Sequence, residues 1–315
     1  MGRIRKQTIT QVIMTNVRSK LSHINHDSTR KQYIAHAKAY IKYCRTVHGV
    51  KNFESCISYV QEYSDHLCQQ GYSASTVHTY MAAVCAVWNI KLDTIQKPIR
   101  HTAEYIRGRK TQVTGVNNDL NDPKWSYLVE FQRVVGIRRE ELRKLKGGDF
   151  AYDESGQPCV VVRKGKGGKL QYQRIDPDKE EFIRKYFDKV TKDERIFPKE
   201  LFDNDLNLHS LRADCAKAYY FKTLEKINAD SQYAVQLEQE IRARWKLYCT
   251  DKQGRVKRLR AKDINGWYTL RGKNRELAVS KGMPVRYHKM ALLATSIFKL
   301  SHWRNDVTVA SYILA

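Results

Sequence analysis

Proline, acidic side chains, paired cysteines and long apolar runs are all scarce in this sequence, and each shortage removes a class of protein. Six prolines in 315 residues are too few for a polyproline or collagen-like chain. The longest apolar stretch, around Met290 to Phe298, is about half the roughly 18 to 20 residues of a membrane-spanning helix, so no membrane partner is expected. The basic stretch Met1 to Lys20 lacks an apolar core and a small-residue cleavage site, so an intracellular, cytoplasmic setting is expected. Seven cysteines are scattered without a C-x-x-C pair, which predicts reduced thiols and neither a disulfide framework nor a zinc site. No metal and no cofactor are therefore expected. Against 33 Asp and Glu stand 57 Lys and Arg, a formal charge of +24 that points to an anionic partner, with nucleic acid foremost. With 42% hydrophobic and 10% aromatic residues the chain can bury real cores, so the charge belongs to folded domains rather than to a disordered tail.

Length predicts about two domains. In the first hundred residues Tyr33, Ala37, Tyr40, Ile41 and Cys44 recur at helical spacing behind a Ser28/Thr29 cap, and Gly49 ends the run. A second stripe, Ile57, Val60 and Leu67, stops at Gly71; a third, from Val77 through Met81 and Val84 to Trp88, follows Ser73 and Ser75. Residues 91–123 lose this periodicity and gather Pro98, Gly108, Gly115 and Pro123, which marks a linker. Helical patterning returns over Trp125 to Leu145. The only strands the pattern supports are Val160–Val162 and Leu170–Ile175, joined by a tip carrying Lys164, Lys166 and Lys169 among glycines. The expected architecture is mainly α: a helical domain over 1–105, a linker over 106–123, and a mixed α+β domain over 124–315 with a small antiparallel hairpin sheet.

Four separated segments carry chemistry. In Val135-Gly136-Ile137-Arg138-Arg139-Glu140-Glu141-Leu142 a glycine permits close approach, and Arg138 offers a planar fork suited to phosphate. The hairpin tip places Lys166 between glycines. It is no nucleotide P-loop, because Leu170 and a strand follow Lys169 where a Ser or Thr and a helix would be needed. In Leu208-His209-Ser210-Leu211-Arg212, His209 and Arg212 share a helix face. Last comes Leu300-Ser301-His302-Trp303-Arg304, with Tyr312 ten residues after His302. A tyrosine in such a position is ordinarily an apolar anchor. Residues 242–275 add twelve Lys or Arg against Asp251 and Asp263, interleaved with Trp245, Tyr248, Trp267 and Tyr268. That mixture reads as a backbone-tracking nucleic-acid surface, against the plainer alternative of a solvated basic face.

In this order the four segments resemble the tyrosine recombinase, or phage integrase, family. Its motifs run T-G-L-R-x-x-E-L, a hairpin Lys, H-x-L-R, then L-G-H and a Tyr. Val135 stands where that family commonly has threonine, Ser301 where it has glycine, and Ala213 where a second histidine often follows H-x-L-R. His209 and His302 lie 93 residues apart, which implies a basic insertion around 217–289. The resemblance covers the chain from about 125 onward, and the N-terminal helices look like the family's SAM-like core-binding domain.

By residue, the resemblance implies Arg138, Lys166, His209, Arg212, His302 and Tyr312 as catalytic, with Glu141 and Leu142 in support. It implies cleavage and rejoining of duplex DNA through a covalent 3′-phosphotyrosine, with integration or excision of a mobile element in a prokaryotic or phage setting. Double-stranded DNA attachment sites, a homotetramer on DNA, and accessory DNA-bending or directionality factors would be the partners. Arg107, Arg109, Lys110, Lys164, Lys169, Arg255, Lys257, Arg258 and Arg260 are the expected DNA contacts. A relaxing enzyme of the type IB topoisomerase kind and a noncatalytic DNA-binding regulator are the alternatives. Only Ile313, Leu314 and Ala315 follow Tyr312, so assembly is expected either to be regulated differently from relatives with a longer docking segment or to have lost that tail.

Overall fold

The computed structural model describes residues 9–24, 27–104, 120, 122–165, 168–202, 206–251 and 253–314. Its contacts divide the chain into two compact units, Met1–His101 and Thr102–Ala315. The short 3-10 turn Thr102–Glu104 belongs to the second unit, where Thr102 donates to Asn274 at 3.0 Å and Lys273 pairs with Glu104.

The first unit is helical: α1 (Ile9–Lys20), α2 (Asp27–His48), α3 (Val60–Gln69) and α4 (Ala74–Trp88). The stripe predicted for α2 is the buried one, since Ala37, Tyr40, Ile41 and Cys44 all face the core with Val77, Met81 and Val84 of α4. Ser73 caps α4 by accepting from the Thr76 amide at 3.3 Å, which satisfies one of the orphan donors of a helix start. Trp88 donates to the Phe53 carbonyl at 3.0 Å and stacks on its ring, closing one end of the core. One expectation fails. Ile57 is half exposed and Cys56 is buried in its place, because Glu54–Tyr59 is a 3-10 helix, whose three-residue turn shifts the buried face.

The second unit begins with α5 (Ser126–Val135) and the single turn α6 (Arg139–Leu142). Gly136, at φ +65°, breaks the helix predicted over Trp125 to Leu145. A three-stranded antiparallel sheet follows in the order β1 (Phe150–Tyr152), β2 (Pro158–Val162), β3 (Gln171–Arg174). Register pairs Phe150 with Val160 and Val162 with Gln171. Every residue of the central β2 is buried, as expected of a strand covered on both faces. Next come α7 (Glu180–Phe187) and the helix pair α8 (Leu208–Ala229) and α9 (Ser231–Tyr248). A second, two-stranded sheet, β4 (Trp267–Thr269) with β5 (Arg286–His288), escaped the pattern analysis; three residues are too few to show alternation. Three further short helices complete this part before the end of the chain, α10 (Ala261–Ile264), α11 (Gly272–Ser280) and α12 (Lys289–Ala294), followed by α13 (Asn305–Thr308). Two π-helical turns, Thr295–Lys299 and Val309–Ile313, flank the segment that carries His302. Such turns are rare and concentrate at functional sites. Among the described residues no helix is long and apolar enough to cross a membrane.

Candidate active site

The site is built on the carbonyl end of α5. The last carbonyls of a helix lack intrahelical donors and carry its negative partial charge. Here side chains from later in the chain supply the donors. Cys215 and Lys299 both reach the Val134 carbonyl at 3.2 Å, and Gln173 donates to that of Val135. Arg212 donates through Nη1 to Gly136 at 2.5 Å. Gly136 is required twice over. Its φ is left-handed, and a Cβ there would lie 2.9 Å from Cys215 and 3.7 Å from the Arg212 Cα. The glycine therefore lets α5 end directly against α8, which brings the Arg138 turn beside Arg212.

Arg212 is 1% exposed. Besides Gly136 it donates through Nη2 to the Leu300 carbonyl at 2.9 Å, and its Nε lies 3.5 Å from the Tyr312 hydroxyl. No carboxylate pairs with it among the described residues. Burial pushes its guanidinium below the ordinary value; the Tyr312 phenol opposes this, and the neighbouring positive charge of Arg138 adds to it, although an arginine stays protonated throughout. One hydrogen on each Nη remains for a further acceptor.

Arg138 is a quarter exposed and is steered by the buried Glu141, whose carboxylate accepts from Nη1 at 2.6 Å and from the Arg138 amide at 3.1 Å. His302 is enclosed, with neither ring nitrogen hydrogen-bonded. Its ring stacks on that of Tyr312 at 5.7 Å and 25°. Burial first, then the positive charges of Arg212, Arg138 and Arg304, push its pKa down to about 3, so it is neutral near pH 7. His209 is exposed in the first turn of α8, its ring centroid 5.5 Å from that of Tyr312. Tyr312 itself is 6% exposed and sits in the second π-turn. Ser301 and Trp303, on either side of His302, have φ of 50° and 61°; such backbone costs on the order of 1–3 kcal/mol and persists only where its surroundings enforce it.

The structure thus brings Arg138, Glu141, His209, Arg212, His302 and Tyr312 into one cluster. Lys166 and the linker residues Arg107, Arg109 and Lys110 lie outside the described residues. Lys164 and Lys169 are exposed on the two sides of the hairpin tip. Arg255, Lys257, Arg258 and Arg260 are exposed on the loop after α9, with Arg255 paired to Asp251 and Arg260 to Asp263.

Within the basic 242–275 stretch the structure makes one correction. Arg244 is buried and belongs to an ion network, with Nη2 2.7 Å from Asp153 and Nε on Glu154. Asp153 also holds Arg174 at 2.5 Å, and Arg174 reaches Glu240 at 2.6 Å. That guanidinium joins α9 to the sheet and is no nucleic-acid contact.

Gln132 was missed by the motif spacing. Fully buried in α5, it donates to the carbonyls of Ile137 at 2.5 Å and Leu208 at 3.1 Å and accepts from the Ile137 amide at 3.2 Å. It therefore ties the Arg138 turn to the start of α8. The available signal was a lone amide four residues after Leu128, on the apolar face. Arg139 plays a similar part, donating to Phe202 at 3.0 Å and Leu206 at 2.5 Å.

No family model matches the chain, and no curated protein does. Among solved structures, the crystal structure of XerA recombinase is similar at 16% identity, over 66% of this chain and 83% of that one, with a TM-score of 0.24. What this site does is read from its own residues.

Proposed function

We propose that this protein is a tyrosine-type DNA strand-cleaving and rejoining enzyme, a site-specific recombinase. The observation that carries the reading is a fully buried guanidinium, Arg212, with carbonyls and a phenol around it but no carboxylate, beside a second arginine and a neutral histidine. A buried cation without an anion is costly, and an arriving phosphodiester would supply that anion. The +24 charge of the chain suits duplex DNA as its source.

In the proposed step the Tyr312 oxygen bonds to phosphorus and the bond to the 5′-oxygen breaks, giving a 3′-phosphotyrosyl link and a 5′-hydroxyl. His209, exposed at the edge of the cluster, takes the phenol proton. Arg138 and Arg212 share the charge that builds on the nonbridging oxygens, where each charge-assisted bond is stronger in the transition state than in the ground state. His302, held neutral, donates to one of those oxygens; a bound phosphate would also raise its pKa again. Lys166, by its place in the sequence, is the acid for the leaving 5′-oxygen. Rejoining is the reverse attack, so the bond energy stays in the adduct. Exchange between two duplexes, in the manner of a mobile element, needs four active protomers, and a homotetramer on DNA is the proposed assembly.

The test uses purified protein and a pool of nicked duplexes with a randomised centre. A denaturation-resistant protein–DNA adduct is expected, absent in Tyr312→Phe. No adduct with the native protein, or an adduct that survives Tyr312→Phe, overturns the reading.

A further inference from the structure

Next to His302 the second unit holds a cleft of about 240 Å³. Its walls come from Lys169, Gln171 and Tyr172 at the base of the hairpin, from Arg244, Tyr248 and Thr250 around the end of α9, and from Ser301 and Trp303, the chain neighbours of His302. We propose that this cleft receives a single nucleobase carrying an exocyclic amine, displaced from the duplex beside the cleaved phosphate. The inference rests on the DNA reading above and adds a second contact class to it.

Three observations point to a base. First, the lining includes three aromatic side chains, Tyr172, Tyr248 and Trp303, beside the aliphatic Leu170, Leu247 and Ile297, and stacking on aromatic side chains is a common way for proteins to hold an unpaired base. Trp303 is set there by its left-handed backbone and by an edge contact from Trp245 at 5.7 Å between centroids. Secondly, Gln171 is 94% buried yet its Oε1 accepts no hydrogen bond. Buried polar atoms are nearly always partnered, and the exocyclic amine of adenine, cytosine or guanine is a donor of the right kind. A Cβ on Gly165 would come within 1.9 Å of Gln171 Nε2, so the amide keeps its present position only beside a glycine and would otherwise have to shift. Thirdly, the cleft is too small for a drug-sized ligand and carries an exposed Lys169 at its rim, suited to a neighbouring backbone phosphate. Arg244 does not compete for that phosphate. Its charge is already met by the carboxylates of Glu154 and Asp153, and it also donates at 3.1 Å to the Tyr172 carbonyl, so it is held in place as one wall.

A base can enter only by leaving its stack, which costs least where it is unpaired. The experiment compares binding of a fully paired 30-base-pair duplex with the same duplex carrying one unpaired adenine, in native protein, Gln171→Met, Trp303→Leu and Thr250→Trp. The last change is at an exposed position and fills the cleft from its rim. Native protein is expected to favour the bulged duplex about tenfold, the scale of one stacked base. All three variants are expected to lose that preference and keep their affinity for paired duplex. With 2-aminopurine in the bulge, its fluorescence is expected to fall on binding native protein and not on binding Trp303→Leu. Equal affinity of native protein for both duplexes overturns the proposal, as does a preference that survives Gln171→Met and Thr250→Trp. Failure of the DNA reading looks different: no salt-dependent binding to either duplex.

Discussion

The two units bury charge differently. Among the described residues of the first, no Lys, Arg, Asp or Glu is buried, and the core is apolar and aromatic, from Ile13 to Trp88. The second buries Glu141, Asp149, Asp153, Arg174, Arg212, Arg244 and Lys299. These fall into two kinds. Arg174 and Arg244 are each paired with two carboxylates, whereas Arg212 meets carbonyls and a phenol only. Buried pairs contribute little net stability but punish the loss of one partner; a buried cation lacking an anion is stabilised only in part, here by the negative end of α5. One kind therefore holds structure together, and the other holds an unmet demand.

The contrast is broken most sharply by removing Asp153, which takes one of two carboxylates from each of two buried guanidiniums. Asp153→Ala should destabilise by about 3–5 kcal/mol, read from urea unfolding. A much smaller loss would mean that the network is solvated and the two kinds of buried charge are one. Close behind in size is a plain core deletion in the first unit. Met81→Ala should cost about 2–5 kcal/mol through lost burial and a cavity, with no change in adduct chemistry at temperatures where the protein stays folded. Arg212→Met should do the opposite. Loss of hydrogen bonds to two carbonyls and relief of an unpaired charge roughly cancel, so stability should move by no more than about 1 kcal/mol. Adduct formation should nevertheless fall about 10²–10³-fold, the scale of one lost transition-state donor.

Acid sharpens the same comparison. His302 titrates at about 3 in the folded protein against about 6.5 unfolded. Its contribution is complete above pH 6.5 and is lost as pH falls toward 3, because the unfolded chain takes up the proton first. His36 in the first unit shifts the same way from burial alone. His302→Phe should therefore show a shallower loss of stability between pH 6.5 and 3 than native protein, by a few kcal/mol at the acid end. Parallel curves would sink the account of His302 as held neutral by its burial and by the charges of Arg212 and Arg138.

Much of this was legible in the sequence, for identifiable reasons. The α2 stripe was readable because five apolar residues repeat on one helix face, and the hairpin because β2 is a valine run leading into glycines. The four motif segments were readable as chemistry because each joins a charged or acid–base group to a local turn or helix start. What could not be read is long-range. Nothing near Arg244 in the chain says that Asp153, 91 residues earlier, will neutralise it, so it counted as one more basic residue of a DNA face. Gln132 likewise earns its role through Leu208, far along the chain. Nor could Ile57 have been placed, since its exposure depends on a 3-10 turn rather than on composition.

Ser301 offers the smallest and most discriminating change. Its φ of 50° is a conformation that glycine adopts freely and serine adopts at a cost. Serine at this place was visible in the sequence as a departure from L-G-H, and the backbone gives that departure a physical meaning. If the strain is enforced by the surrounding fold, Ser301→Gly relieves it without moving His302, and stability should rise by about 0.5–1 kcal/mol, offset in part by the greater freedom of glycine in the unfolded chain. Adduct formation should then be unchanged within about twofold, since His302 still stacks on Tyr312. A fall in adduct formation with a gain in stability would mean instead that the serine itself belongs to the site. The two readouts together separate a backbone that merely tolerates a side chain from one that uses it.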